Sequence, residues 1–143
     1  MSRREVLGLA KFFGIGGAVL AGGGYYFASS VMAGISEADL SKLGNGMPTI
    51  VQVHDPQCPS CRSLQNATRA ALTGFAEGEI QYLVANLTSP EGRRFAGEHR
   101  AGRVTLLLFD GAGRLRDRVQ GEQTEAILTE VFRRHLRISR RSG

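Results

Sequence analysis

At 143 residues and a formal net charge of +5, the chain has room for one modest core and an appendage. Aromatic residues are few and tryptophan is absent, and the arginines are mixed with acids except at the C-terminus, so nothing marks a nucleic-acid surface and no nucleic-acid partner is expected. Two cysteines and three scattered histidines are also too few for a closed four-ligand zinc site with its usual spacing.

The N-terminus opens with Ser2-Arg3-Arg4-Glu5-Val6-Leu7 and Lys11, then runs uncharged from Phe12 to Ser36. At about 1.5 Å per residue such a run is ample for roughly 30 Å of hydrocarbon, although its seven glycines make it a mediocre stop-transfer helix. Tyr25, Tyr26 and Phe27 stand toward its far end, where interfacial aromatics belong. Basic residues before it and Glu37 and Asp39 after it place the N-terminus in the cytoplasm and the remainder across the membrane. Two processing readings stand beside a retained anchor. Ser2-Arg3-Arg4-x-Val6-Leu7 resembles a twin-arginine export signal with Val6 in place of the usual Phe, and Val31-Met32-Ala33 is an acceptable cleavage site. An uncleaved signal anchor over 1–36 is the favoured reading.

Ser36-Glu37-Ala38-Asp39 has the form of a capping box opening a short helix that Gly44 closes, so 37–48 reads as a short helix and linker. Thr49 to His54 is rich in β-branched residues and predicts a central strand. From Pro59 to Thr73 the residues Leu64, Ala67, Ala71, Leu72 and Phe75 recur at helical spacing. Ile80 to Ala85 predicts a second strand, and Ser89-Pro90-Glu91 starts a helix reaching about His99. Val104 to Phe109 is apolar on both faces and predicts a buried third strand, which Asp110-Gly111-Ala112-Gly113 turns into a polar edge strand, Arg114 to Gln120. A last helix is expected from Glu122 to about Leu136, followed by a basic tail, 138–143. The arginines around it, Arg133, Arg134, Arg137, Arg140 and Arg141, suit anionic lipid near a membrane and equally a solvated helix end. The order βαβα-ββα implies a mixed α/β sheet with helices on both faces and a site at the carboxyl end of the first strand.

That end carries His54-Asp55-Pro56-Gln57-Cys58-Pro59-Ser60-Cys61. Two thiols two residues apart on a first helical turn can close a disulfide within one turn, and the helix N-terminus favours the thiolate of the first. Pro59 and Ser60 leave the first helical amides free to face that sulfur. Redox chemistry is the better reading. Metal binding by Cys58, Cys61 and His54 is the alternative, and a pair of small core residues or a passive disulfide is the bland one.

The chain resembles the thioredoxin superfamily over roughly Thr49 to Leu136, within a folded domain spanning 49–137. The resemblance is carried by Cys58-Pro59-Ser60-Cys61 after a strand, by Thr105-Leu106-Leu107-Leu108-Phe109-Asp110-Gly111, which looks like the family's strand following its cis-proline, and by the closing helix. It implies that Cys58 is the exposed nucleophile, that Cys61 is the shielded resolving thiol, and that no cofactor is needed. Val104 stands where the family has its cis-proline. A cis bond before valine would cost about 3 kcal/mol, so Arg103–Val104 is expected to be trans, with an altered docking loop and more room for metal. Gln52 replaces the family's buried acid and Gln57 its tryptophan, so that proton transfer for Cys61 is expected either to be slower or to fall to His54 or Asp55 at the strand end. Arg103 is either a charge that lowers the pKa of Cys58 or a solvated strand start.

These readings together predict a membrane-tethered, periplasm-facing thiol-disulfide oxidoreductase of the bacterial inner membrane, or an exported form after signal cleavage. Its expected partners are protein thiols and disulfides or small thiols, and a monomer is expected. A metal-delivery domain and a non-catalytic interaction module are the alternatives.

Overall fold

In the computed structural model, which describes Gly34 and residues 36–142, Thr49–His54 form β1 with all six residues buried, as a central strand of β-branched residues requires. Helix α1, Pro59–Leu72, follows, then β2, Gln81–Asn86, α2, Pro90–Glu98, β3, Thr105–Phe109, β4, Leu115–Gln120, and α3, Glu125–Arg141. The sheet order is β2-β1-β3-β4. β1 and β2 are parallel, joined by the α1 crossover, whereas β3 runs antiparallel to both β1 and β4. The mixed sheet expected from the element order is present.

Alternation along β1 divides the core into two layers. Val51 and Val53 point to one face with Leu83, Ala85, Leu107 and Phe109, where Phe95 and Ala96 of α2 close over them. Ile50 points to the other with Leu106 and Leu108, under Leu64 and Ala71 of α1 and Leu128 and Phe132 of α3. Helix α2 starts with Ser89 capping the Gly92 N–H at 3.0 Å and Pro90 in its first turn. Gly92 lies so close to β2 that an added Cβ would stand 2.0 Å from the Asn86 carbonyl oxygen.

Several boundaries differ from expectation. Ser36 and Glu37 are themselves helical, and the cap is Asp39, whose carboxylate accepts the Ser41 N–H at 3.1 Å to start a three-residue 3₁₀ turn, Leu40–Lys42. Strand β3 begins at Thr105, because Val104 has φ +59°, outside extended geometry. The last helix begins later, behind the cap Thr124, and runs to Arg141, so most of the supposed basic tail belongs to it. Buried His135 and Ser139 hold its later turns to the core: His135 Nε2 donates to the Phe109 carbonyl at 2.8 Å.

The β3–β4 turn is built on buried Asp110, which accepts the Ala112 and Arg114 N–H groups at 3.0 Å and the Nε–H groups of Arg114 and Arg116 at 2.9 and 2.8 Å. Burial opposes its charge, but the Arg114 backbone amide and the two guanidiniums prevail and push its pKa down to about 2. Gly113 supplies the φ of +84° that closes this turn. The anchor reading for 12–36 lies outside the described residues but for Gly34 and Ser36, and no helix among the described residues is long and apolar enough to cross a membrane.

Candidate functional site

Strand β1 delivers His54 to the carboxyl edge of the sheet, and the chain turns at once. Asp55 makes the turn, accepting the Gln57 N–H on Oδ1 at 3.0 Å and the Cys58 N–H on its carbonyl at 3.0 Å. Cys58 then stands at the N-cap of α1 in extended geometry, with Pro59 in the first turn. Its Sγ occupies the place of the usual capping oxygen and accepts the Cys61 N–H at 3.3 Å. Cys61, one turn in, is fully buried against the sheet, while Cys58 is partly exposed; both are free thiols.

This placement drives the two thiols apart in acidity. Cys58 is lowered by the hydrogen bond from the Cys61 thiol, then by the Cys61 backbone amide, the positive charge of Arg103 and the Ser60 amide. Cys61 is raised by burial and by Cys58, with the backbone of Asp55 and Val104 offsetting part of the rise. One sulfur is therefore made the more acidic of the two, and the other, beneath it, the less. Pro59 stands in the first turn of α1, and the Ser60 amide lowers the Cys58 pKa a little further.

Beneath Cys61 lies a neutral polar network. Gln52, fully buried on β1, donates from Nε2 to the Cys61 carbonyl at 2.9 Å, lies 3.4 Å from His54 Nδ1 and accepts the Tyr82 hydroxyl on Oε1 at 2.7 Å. An amide satisfies all three neighbours, which a carboxylate cannot, because only the amide both donates and accepts. His54 is buried, and desolvation lowers its pKa, so the imidazole is neutral at neutral pH. Tyr82 is a member of this site that the sequence did not single out; its only signal is position, two residues before Val84, the partner of Gln52 in the parallel register.

The loop before β3 faces the pair. Arg103 reaches Asp55 Oδ2 at 3.5 Å, a mostly exposed contact of little energetic weight, and adds its field to Cys58. Every described peptide bond is trans, Arg103–Val104 included, as expected. The left-handed backbone of Val104 was not expected, since such a φ on a β-branched residue costs about 1–3 kcal/mol. Its carbonyl accepts the Gly121 N–H at 2.8 Å, which ties the loop to the end of β4. Among the described residues no three or more histidine, cysteine, aspartate or glutamate side chains are grouped to hold an ion, and the contact of His54 Nδ1 is with the Gln52 amide.

No family model and no curated protein matches the sequence. Solved structures do. Thioredoxin from Fasciola hepatica superposes with a TM-score of 0.56 at 22% identity, over 68% of this chain and 91% of that one. A thioredoxin-like protein from Clostridium perfringens gives 0.58 at 19% identity over 68% and 77% of the two chains. Oxidized thioredoxin O2 from Arabidopsis thaliana gives 0.55 at 16% identity over 66% and 81%. The domain has the thioredoxin fold.

Proposed function

We propose that the protein is a thiol-disulfide oxidoreductase acting through Cys58 and Cys61, held to the bacterial inner membrane by residues 12–36 with its domain on the periplasmic side. The observation that carries the redox reading is the pairing of a partly exposed, acidified N-cap thiol with a buried, protonated thiol one turn below. In the reducing direction the Cys58 thiolate attacks one sulfur of a partner disulfide, and the other partner sulfur leaves as a thiolate and takes a proton. Cys61 then gives up its proton and its sulfur attacks Cys58 in the mixed disulfide. The partner's second thiolate is expelled, a Cys58–Cys61 disulfide forms, and two electrons have passed to the partner. The oxidising direction is the reverse. The partner is a protein thiol or disulfide, or a small thiol, and the protein acts as a monomer.

The charge order around the uncharged run, with Arg3, Arg4 and Lys11 before it and Glu37 and Asp39 after it, supports the periplasmic orientation. The test is the reduction potential of the pair, equilibrated against glutathione buffers with metal assayed on the same sample. A metal-free pair that titrates reversibly, and that Cys58→Ser abolishes, is the expected result; a potential near −270 mV indicates a reductant and one near −120 mV an oxidant, by comparison with roughly those values for thioredoxin and a strong oxidase. A pair that will not close, or that arrives with stoichiometric metal, overturns the reading.

A further inference from the structure

Helix α3 carries a surface that the core uses only in part, through Val131, which packs against its edge. Ile127, Val131, Arg134, Ile138 and Arg141 follow one another at steps of four and three residues and so stack along one face. Ile127 is 50% exposed and Ile138 44%, two of the three large apolar side chains exposed among the described residues. Ala126, Ile127, Glu130, Val131, Arg134 and Arg137 line a shallow groove along the same side. Arg134, Arg137 and Arg141 flank the apolar ridge, and residues 131–141 contain no acid. Among the described residues Arg137 and Arg141 face no carboxylate, and Arg134 meets only Asp117 at 3.5 Å, an exposed pair.

An exposed apolar ridge flanked by arginines on a helix matches the chemistry of an anionic lipid surface: side chains enter the headgroup boundary and guanidiniums meet phosphates. A second copy of this face fits less well, because it would bring like charges together.

We propose that the outer face of α3 docks on anionic phospholipid, so that the domain lies against the membrane rather than swinging free on its tether. The proposal rests on the tethered reading but not on the redox one, since none of these residues touches Cys58 or Cys61. With no tryptophan in the chain, Ile138→Trp is a sole tryptophan reporter, and Glu91→Trp, at an exposed position of α2 across the sheet, is its control.

The full chain carrying either reporter is reconstituted in vesicles of phosphatidylcholine alone or mixed with phosphatidylglycerol. Flotation with both vesicle types tests the tether. Docking predicts that only the Ile138→Trp emission moves to the blue and is quenched by brominated lipid, only with phosphatidylglycerol, and that high salt reverses both changes. Replacing Arg134, Arg137 and Arg141 by Gln is expected to lower the docked-to-undocked ratio on the order of a hundredfold, at about fivefold, or roughly 1 kcal/mol, per arginine. A chain that floats with both vesicles while its Ile138→Trp emission stays water-like overturns docking and leaves the tether standing. A blue shift that grows with protein concentration in neutral vesicles overturns it in favour of a second copy. Flotation only with anionic vesicles, lost in salt, overturns the tether and retains the docking face.

Discussion

The Gln52 network makes the sharpest test of how the site is held. Gln52→Leu keeps the volume but leaves the Tyr82 hydroxyl and His54 Nδ1 without the amide, and removes the donor on the Cys61 carbonyl. At about 1–3 kcal/mol for each buried group left unpaired, and with Gln65 near enough to take part of the Tyr82 hydroxyl, the expected loss is about 2–4 kcal/mol. Tyr82→Phe removes a donor and strands Gln52 Oε1, for about 1–2 kcal/mol. The double variant leaves neither partner stranded across that bond. Its loss is therefore expected to fall short of the sum by about 1–2 kcal/mol, read from urea unfolding of all four proteins. Additivity within about 0.5 kcal/mol would show that the hydroxyl and the amide do not depend on each other, and would refute the network as drawn.

Two other expectations follow from the geometry. Because the folded protein lowers the Cys58 pKa, its alkylation by iodoacetamide should reach plateau at a lower pH than an ordinary thiol of about 8.5. Cys61→Ala, which removes the leading cause, should move the midpoint up, and Arg103→Gln should move it up by less; a wild-type midpoint at or above that of a free thiol would sink the acidity argument. On α2, Gly92→Ala should cost more than about 2 kcal/mol despite alanine's better helix propensity, because the new methyl meets strand backbone that cannot yield. Gly97→Ala, with open space around its Cβ, should be neutral or stabilising by up to about 1 kcal/mol. Equal effects at the two glycines would contradict the close approach of α2 to β2.

What the sequence displayed was whatever depends on neighbours in the chain. β-branched residues over 49–54, proline behind Ser89 and the helical stripe after Pro59 report local geometry, and the strands and helices stand where those signals put them to within a few residues. Some helix starts are misplaced by a few residues although their caps, Asp39 and Thr124, are local, while other features are decided by long-range contacts. Valine's own preference is for strand, so nothing local announces the left-handed Val104, whose carbonyl is bonded to Gly121, seventeen residues on. Gln52 reads in sequence as a missing acid. Only the parallel pairing of β1 with β2 brings Tyr82 to it and shows the amide as a bridge. Arg118 likewise looks like an ordinary edge-strand charge until the fold sets its Nη2 3.1 Å from the His99 carbonyl, at the end of α2.

The asymmetry of the two thiols needs no unusual residue around them. It follows from their positions on one helix: the N-cap faces solvent with the thiol and the backbone amide of Cys61 aimed at it, and the position three residues on faces the sheet. Cysteine is not among the residues favoured at an N-cap, where a serine hydroxyl would accept the Cys61 N–H better than sulfur does. Stability alone would therefore select oxygen at position 58. Cys58→Ser should accordingly fold at least as well as the wild type while losing exchange, so loss of activity in that variant reports on the sulfur and not on the helix it caps.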